Sequence, residues 1–525
     1  MAANSSHGTV APRRWTRRFD LALVGILLLA LLLRLPNLAR SLWYDEVGYS
    51  AKLGAPSLWG LMRYVLNEPG SLGYRVFMFL WVQVLGENGV VLRLPSLAAG
   101  LGAVALTYAL ARLYVSRQSA LLAVVLLALS PVHVWYSQEA TPYSMALFLL
   151  LAAVYVGSRI RGGTAGRHSY GLYTLLLIAA GLVHYYSALF LLPLSILALG
   201  AEPGVRNRLW LSHAAAALWL SLPIALRLAV GTMITGMSYA RPFTALEWWM
   251  LCFNWFLDGN SIWPLVPYSL ARLGGWKYLL GQPALVACQL AALALLVRGL
   301  LLSPQPEPAA VAGTVQPGAG SGAQHPRPAW ELGLYLLCSP LILLALTLVG
   351  YNRLYIERFL VVLLPFFWIL VARGAAEGLG RRWRVVLVVA VLAFATVAYA
   401  CLLAKSDQWT VYKPNPDWSR AVDYLLEDRA ADEHDLVLIA VPSWDLQYAL
   451  SVQRTGPVPS VRDVRPQEVD AVLPEYPGAR VYLIDEWFWH GNFDAVKEEL
   501  SSAPELRLAS ERSFKGLTIY EYLPR

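Results

Sequence analysis

Val385-Val-Leu-Val-Val-Ala-Val-Leu-Ala-Phe-Ala-Thr-Val-Ala-Tyr-Ala-Cys-Leu-Leu-Ala404 contains no Asp, Glu, Lys or Arg. As one α-helix, a run of that length crosses the roughly 30 Å of a bilayer's hydrocarbon. Arg381, Arg382 and Arg384 stand just before it, so the run reads as a span with a basic flank. Working outward, comparable runs fall near 19–36, 90–111, 118–135, 142–158, 170–183, 187–203, 209–229, 276–300, 331–350 and 359–373. Together with 385–404 they predict about eleven spans. The stretch around 170–203 is interrupted at His184, Tyr185, Tyr186 and Ser187 and is read as two spans, which keeps the charge alternation intact.

Composition agrees with a membrane protein. The chain has 525 residues, 57% hydrophobic and only 14% charged, with a mean hydropathy of +0.49. Too little polar surface remains for a soluble globule. The net charge of +8 comes mostly from Arg between apolar runs, without a basic patch interleaved with aromatics, so no nucleic-acid partner is implied. The four cysteines are widely spaced and suggest neither a disulfide framework nor a zinc site.

An odd number of spans puts the two ends on opposite sides. Arg13, Arg14, Arg17 and Arg18 precede the first run, and no small-residue cleavage site follows it. A retained first helix with residues 1–18 in the cytoplasm is expected. Inner turns then hold Arg112 and Arg117; Arg159, Arg161 and Arg167; Arg206 and Arg208; and Arg381, Arg382 and Arg384, as the positive-inside rule requires. The Pro, Gly, Ala and Gln-rich segment 303–329 reads as a disordered cytoplasmic linker. Outside lie a loop from 37 to 89, short loops at 136–141 and 351–358, an aromatic loop at 230–275, and everything after 404.

That tail changes character. It holds a helix-like stretch from Asp417 to Glu427, strand-like runs at Asp435–Val441 and Arg480–Asp485, and a closing β pair near 505–523. The fold class expected is therefore mainly α: a polytopic membrane domain over 19–404, with a small extracytoplasmic α/β domain over 405–525.

The polar chemistry collects on the expected outer face. Asp45 and Glu46 are adjacent acids in Ser41-Leu-Trp-Tyr-Asp-Glu-Val-Gly-Tyr-Ser50. Neighbours on a helix point about 100° apart, so one carboxylate can face a substrate while the other anchors a cation. The plainer alternative makes Asp45 an N-cap and Glu46 a first-turn acid of an interfacial helix. Arg93, Glu139, His184, Arg353 and Arg358 all fall at outer helix ends, where an Arg fork suits a phosphate. Against this stand snorkelling for Arg93 and Arg358, a one-turn hydrogen-bonded pair for Glu139 and Tyr143, and an aromatic belt for His184. Lys52 sits about two turns beyond Asp45, where a solvated surface role is equally open.

Leu42-Trp-Tyr-Asp-Glu46, Leu92-Arg-Leu-Pro-Ser96, Ser130-Pro-Val-His-Val-Trp-Tyr-Ser-Gln-Glu-Ala-Thr-Pro-Tyr143, His184-Tyr-Tyr186 and Glu357-Arg-Phe-Leu360 occur in this order. The set resembles the GT-C superfamily of polytopic glycosyltransferases over roughly 20–400. The branch it looks like contains the protein O-mannosyltransferases (glycosyltransferase family 39), the lipid A aminoarabinose transferase and the Rgt-type lipopolysaccharide transferases. Thr141 departs from the pattern, since relatives commonly carry Arg there.

The resemblance implies a polyprenyl-phosphate sugar donor, a glycan, lipid or protein hydroxyl as acceptor, and inversion at the anomeric carbon. It implies Asp45 as general base with Glu46 orienting the site. Arg93, Arg358, Lys52 and Arg353 are then expected at the donor phosphate, and Glu139, Tyr143, His184 and Tyr185 at the substrate. The residues call for no cofactor, and they neither require nor exclude a divalent metal. A transporter or flippase for a lipid-linked or sugar substrate is the alternative from another class. Span interiors almost free of charge, with acids gathered in outer loops, favour the enzyme.

Overall fold

The apolar runs fold as helices, because in hydrocarbon every backbone N–H and C=O has to find its partner within the segment. The computed structural model describes residues 21–42, 44–49, 57–67, 71–166, 168–229, 245–263, 281–303, 327–348, 357–406, 416–440, 446, 450, 458–486 and 493–525. In chain order the first helices are α1 Leu21–Leu32, α2 Tyr44–Tyr49, α3 Leu58–Asn67, α4 Leu72–Leu85, α5 Gly89–Ala111 and α6 Arg117–Leu129. They are followed by α7 Pro131–Ser137, α8 Tyr143–Arg161, α9 Ser169–Val183, a 3₁₀ turn Tyr185–Phe190, α10 Leu191–Leu199 and α11 Pro203–Ala229. Next come α12 Ala245–Asp258, α13 Pro283–Leu301, α14 Trp330–Leu348, a 3₁₀ turn Glu357–Leu363, α15 Leu364–Ala376 and α16 Arg381–Ser406.

Among the described residues, α5, α8, α13 and α16 are each long and apolar enough to cross a membrane alone, and α6 with α7 makes a fifth if the bent pair is one span. Shorter apolar helices, α1, α4, α9, α10 with its leading turn, α14 and α15, fill the bundle. Three sequence readings change here. The segments 37–89 and 230–275, both read as loops, contain α2, α3 and α4, and α12. The run 118–135, read as one span, bends by 61° between α6 and α7. Pro131 causes the bend: it cannot donate to the preceding turn, and it forces Ser130 into an extended conformation at ψ 119°.

Helices in lipid approach closely where side chains are small. A Cβ on Gly299 of α13 would run into the Leu370 carbonyl of α15, and one on Gly374 of α15 into the Leu295 carbonyl of α13. The two backbones therefore touch along a seam that only glycine permits.

Polar residues gather at the two ends of the bundle. At a basic end, Arg161 donates to Glu331 at 3.0 and 2.6 Å, and Tyr114 adds a hydroxyl bond of 2.8 Å. Glu377 accepts from Arg373 at 3.1 Å and from the Ser116 amide and Ser119 hydroxyl at 2.8 Å each. The Arg327 amide bonds the Leu113 carbonyl, so the exit of the 303–329 segment is pinned to the basic turns. At the other end lies α2.

The tail forms a five-stranded sheet in the order β2-β1-β3-β5-β4: β1 Leu436–Ile439, β2 Ser460–Asp463, β3 Val481–Glu486, β4 Leu506–Phe514 and β5 Leu517–Pro524. β1 pairs in parallel with β2 and β3, whereas β5 runs antiparallel to β3 and β4. All residues of β1 and β3 are buried, as strands covered on both faces must be. α17 Trp418–Asp423 packs on one face with Val437 and Ile439. After the single turn α18 Val469–Val472, α19 Phe493–Ser502 covers Leu436 and Leu438 on the other. The fold is thus mainly helical and polytopic, with a small C-terminal α/β domain.

Candidate functional site

Glu46, in the first turn of α2, is fully buried. Its carboxylate receives a two-pronged grip from Arg93 of α5, with Nε to Oε1 and Nη2 to Oε2 both 2.8 Å. The Ala140 amide donates to Oε1 at 2.8 Å. Burial pushes the Glu46 carboxyl upward, but the guanidiniums of Arg93 and Arg40 and the Ala140 amide outweigh it and hold the pKa down at about 2.

Arg93 spends its remaining donors on the chain leading to α2: Nη1 bonds the Leu38 and Arg40 carbonyls at 2.7 and 2.6 Å, and Nη2 bonds Ser41 at 3.0 Å. All five of its N–H groups are engaged. Expected at the donor phosphate, Arg93 instead lies inside the protein as the clamp that shapes 38–46. Asp45 is half-buried, one helical step of about 100° round from the clamped Glu46.

The turn after α7 supplies the third element. Glu139 is buried and accepts from Trp135 Nε1 at 2.5 Å. The Arg40 guanidinium lies over the Trp135 ring, Cζ 4.1 Å from its centroid, with Nη2 3.9 Å from Glu139 Oε1. Ser96 and Ser144 fix the same turn through the Thr141 and Tyr136 carbonyls, at 3.2 and 2.8 Å. Thr141 is itself fully buried.

Aromatic rings continue from there. Tyr143 packs on Tyr136 with centroids 4.9 Å apart and on His184 at 5.3 Å, and His184 packs on Tyr186 at 5.5 Å. Tyr185 is half-buried in the adjoining 3₁₀ turn. The structure therefore brings Glu46, Arg93 and Glu139 into one cluster, with Tyr143 and His184 in the aromatic group beside it. Lys52 and Arg353 lie outside the described residues, as does the side chain of Arg358, whose backbone belongs to the turn Glu357–Leu363.

Beneath this cluster, Arg34 Nη2 meets His133 Nδ1 at 2.5 Å, and Arg34 Nη1 bonds the Ala30 and Ala128 carbonyls at 2.7 and 3.3 Å. Sequence reasoning missed Arg34, Arg40 and Trp135. Arg40 carried one signal, a lone cation among apolar residues five positions before Asp45. Among the described residues no three His, Cys, Asp or Glu side chains are grouped as for a metal ion.

The same bundle and tail occur in a solved protein, ArnT from Cupriavidus metallidurans. Its structure bound to undecaprenyl phosphate superposes with a TM-score of 0.55, over 95% of this chain and 97% of that one, at 12% identity. The apo form gives 0.54 at the same identity and coverage. This chain has the GT-C fold. The family of dolichyl-phosphate-mannose-protein mannosyltransferases matches residues 71–230, the part of the GT-C bundle that runs from α4 to α11. The archaeal oligosaccharyltransferase AglB from Archaeoglobus fulgidus, in complex with an inhibitory peptide and a dolichol-phosphate, aligns with 95% of this chain and 74% of its own, at 11% identity and a TM-score of 0.45. No curated protein matches the sequence. On the GT-C bundle, the buried clamp and the aromatic cluster both sit at the end where α2 lies.

Proposed function

We propose that the protein is a membrane glycosyltransferase that moves a sugar from a polyprenyl-phosphate donor to a hydroxyl acceptor on the outer face of the cytoplasmic membrane. The observation that carries this reading is the division of labour within α2. Glu46 is locked to Arg93 and to the Ala140 amide, while Asp45 occupies the next position, only half-buried. A carboxylate held beside a fixed anchor suits a general base.

In the step proposed, the acceptor oxygen bonds to the anomeric carbon from the face opposite the donor phosphate. The bond from that carbon to the phosphate oxygen breaks, and its electron pair leaves with the phosphate. The acceptor's proton passes to Asp45, and inversion follows from the in-line geometry. Arg358, Lys52 and Arg353 remain proposed at the phosphate, and Tyr143, His184 and Tyr185 at the sugar or acceptor. Arg93 moves from that group to a positioning role, since its donors are already engaged. ArnT, which shares the fold, has been solved with undecaprenyl phosphate bound, a lipid of the class proposed here.

Asp45→Asn tests the assignment. Asparagine keeps the size and a side-chain oxygen at this position, so the variant should fold and still bind donor lipid. Turnover should fall by about two to four orders of magnitude, measured as transfer of labelled sugar from polyprenyl phosphate in proteoliposomes. Retention of most activity would leave Asp45 as a first-turn acid of α2 with no catalytic role.

The orientation proposed places residues 1–18 and 303–329 in the cytoplasm and the tail after 404 outside. It is supported by the clustering of Arg112, Arg117, Arg159 and Arg161 with the basic end. Reporter fusions after Ala323 and after Arg525 should give opposite readings, and equal readings would overturn it. The transporter reading draws on one observation, the buried Arg34–His133 contact at a helix break. Flipping of a sugar lipid by wild type in proteoliposomes, with no transfer of its sugar to any hydroxyl acceptor, would favour that reading.

A further inference from the structure

Two arginines stand beside α2, and they are placed very differently. Arg93 is saturated. Arg40 has a side chain only 10% exposed, yet none of Nε, Nη1 and Nη2 has a hydrogen-bond partner. Among the described residues its one ion-pair partner, Glu139 Oε1, is 3.9 Å away, beyond hydrogen-bonding range, and already accepts from Trp135 Nε1. Glu46 is taken up by Arg93. Five charged donors are thus shielded from water while the described residues supply no acceptor for them, an arrangement that proteins avoid unless a ligand completes it.

The geometry around Arg40 is built to hold its fork still. The guanidinium lies over the Trp135 ring at 4.1 Å, a stacking that arginine makes and lysine cannot reproduce. Trp135 is in turn fixed by its bond to Glu139. Burial, then the charge of Arg93, bring the Arg40 pKa down to about 10 against the opposing pull of Glu46 and Glu139, so the group is a cation at neutral pH. A planar cationic fork with open donors matches an anion that has several acceptor oxygens, as a phosphate does.

We infer that Arg40 binds the phosphate of the lipid-linked donor, with Trp135 and Glu139 as positioning residues that aim its guanidinium. This inference rests on the glycosyltransferase reading. It names a phosphate contact that the sequence pattern did not single out, on the segment that leads directly to Asp45. The same chemistry could come from a bulk phospholipid headgroup or from free phosphate, so the test has to separate the sources.

The experiment measures binding to the full chain in nanodiscs with three probes: undecaprenyl phosphate, phosphatidylglycerol and inorganic phosphate. Wild type should bind undecaprenyl phosphate in preference to the other two. Arg40→Ala should weaken that binding by about tenfold or more, the scale of one lost charge-assisted contact. Arg40→Lys keeps the charge and should fold even if the alanine variant does not; it should still raise the donor KM several-fold more than it lowers kcat. Wild type that fails to bind undecaprenyl phosphate overturns the donor reading itself. Wild type that binds it with the same affinity as Arg40→Ala, or as Arg40→Lys where alanine does not fold, overturns the Arg40 assignment alone. Equal binding of phosphatidylglycerol, or of inorganic phosphate, would make Arg40 a general anion contact and overturn its donor role.

Discussion

The two polar ends of the bundle are made from the same kinds of residue and finished differently. At the basic end, Arg161 and Glu331, and Arg373 with Glu377, meet at 2.6 to 3.1 Å, and serine, tyrosine and backbone groups take up further valences. At the α2 end, Arg93 with Glu46 is closed in the same way, but Arg40 with Glu139 is held open at 3.9 Å. A buried ion pair is weak evidence for stability, yet breaking one costs dearly because it strands a charge. Closed pairs are therefore staples. An open pair beside a staple is what a binding site looks like before its ligand arrives.

The comparison breaks most readily at Glu46. Glu46→Gln leaves Arg93 charged and buried, and should cost on the order of 3–5 kcal/mol of stability. Because the clamp shapes residues 38–46, turnover should fall with it, and thermal melting beside a transfer assay should show both losses. Glu331→Gln sharpens the contrast: a stability loss of about 3 kcal/mol with an unchanged donor KM. A raised KM in that variant would mean the two ends are not independent.

Trp135→Phe keeps an aromatic ring beneath Arg40 but removes the indole N–H that bonds Glu139 and part of the stacking face. Its stability cost should be about 1 kcal/mol, with a larger change in donor KM than in melting temperature. The smallest effect concerns pH. Glu46 titrates at about 2 in the folded protein against an ordinary 4.5, so its contribution to stability is present above pH 4.5 and is lost as pH falls towards 2. The melting difference between wild type and Glu46→Gln should then stay flat from pH 8 to about 5. A gap that closes above pH 6 would show that the carboxyl is not held ionised.

Much of this was legible in the chain, for reasons that can be named. Apolar runs such as 90–111 and 385–404 announce helices because lipid leaves the backbone no other solution. Asp45 and Glu46 stand out as adjacent acids in an apolar setting. α4 was not read, because its 14 residues reach only about 21 Å, short of a span, and Arg75 and Gln83 interrupt the run. β2, Ser460-Val-Arg-Asp463, is polar and too brief to alternate. Arg93 was legible as a cation at a helix end but not as a clamp, since Glu46 and the 38–41 carbonyls reach it only when distant segments close. Arg40 was missed for the same reason: Trp135 and Glu139 lie almost a hundred positions away, and the open gap between charges is a property of the folded chain alone.

The glycine seam between α13 and α15 has a consequence for temperature. Burial of apolar surface from water, which holds the tail's sheet between its helices, loses force on cooling. A helix pair in lipid draws nothing from that source, since its surroundings are as oily as its interior, and it relies on close contact between backbones instead. Gly299 and Gly374 thus give the bundle a cohesion that does not fade in the cold, so the two parts of one polypeptide answer to different thermal laws.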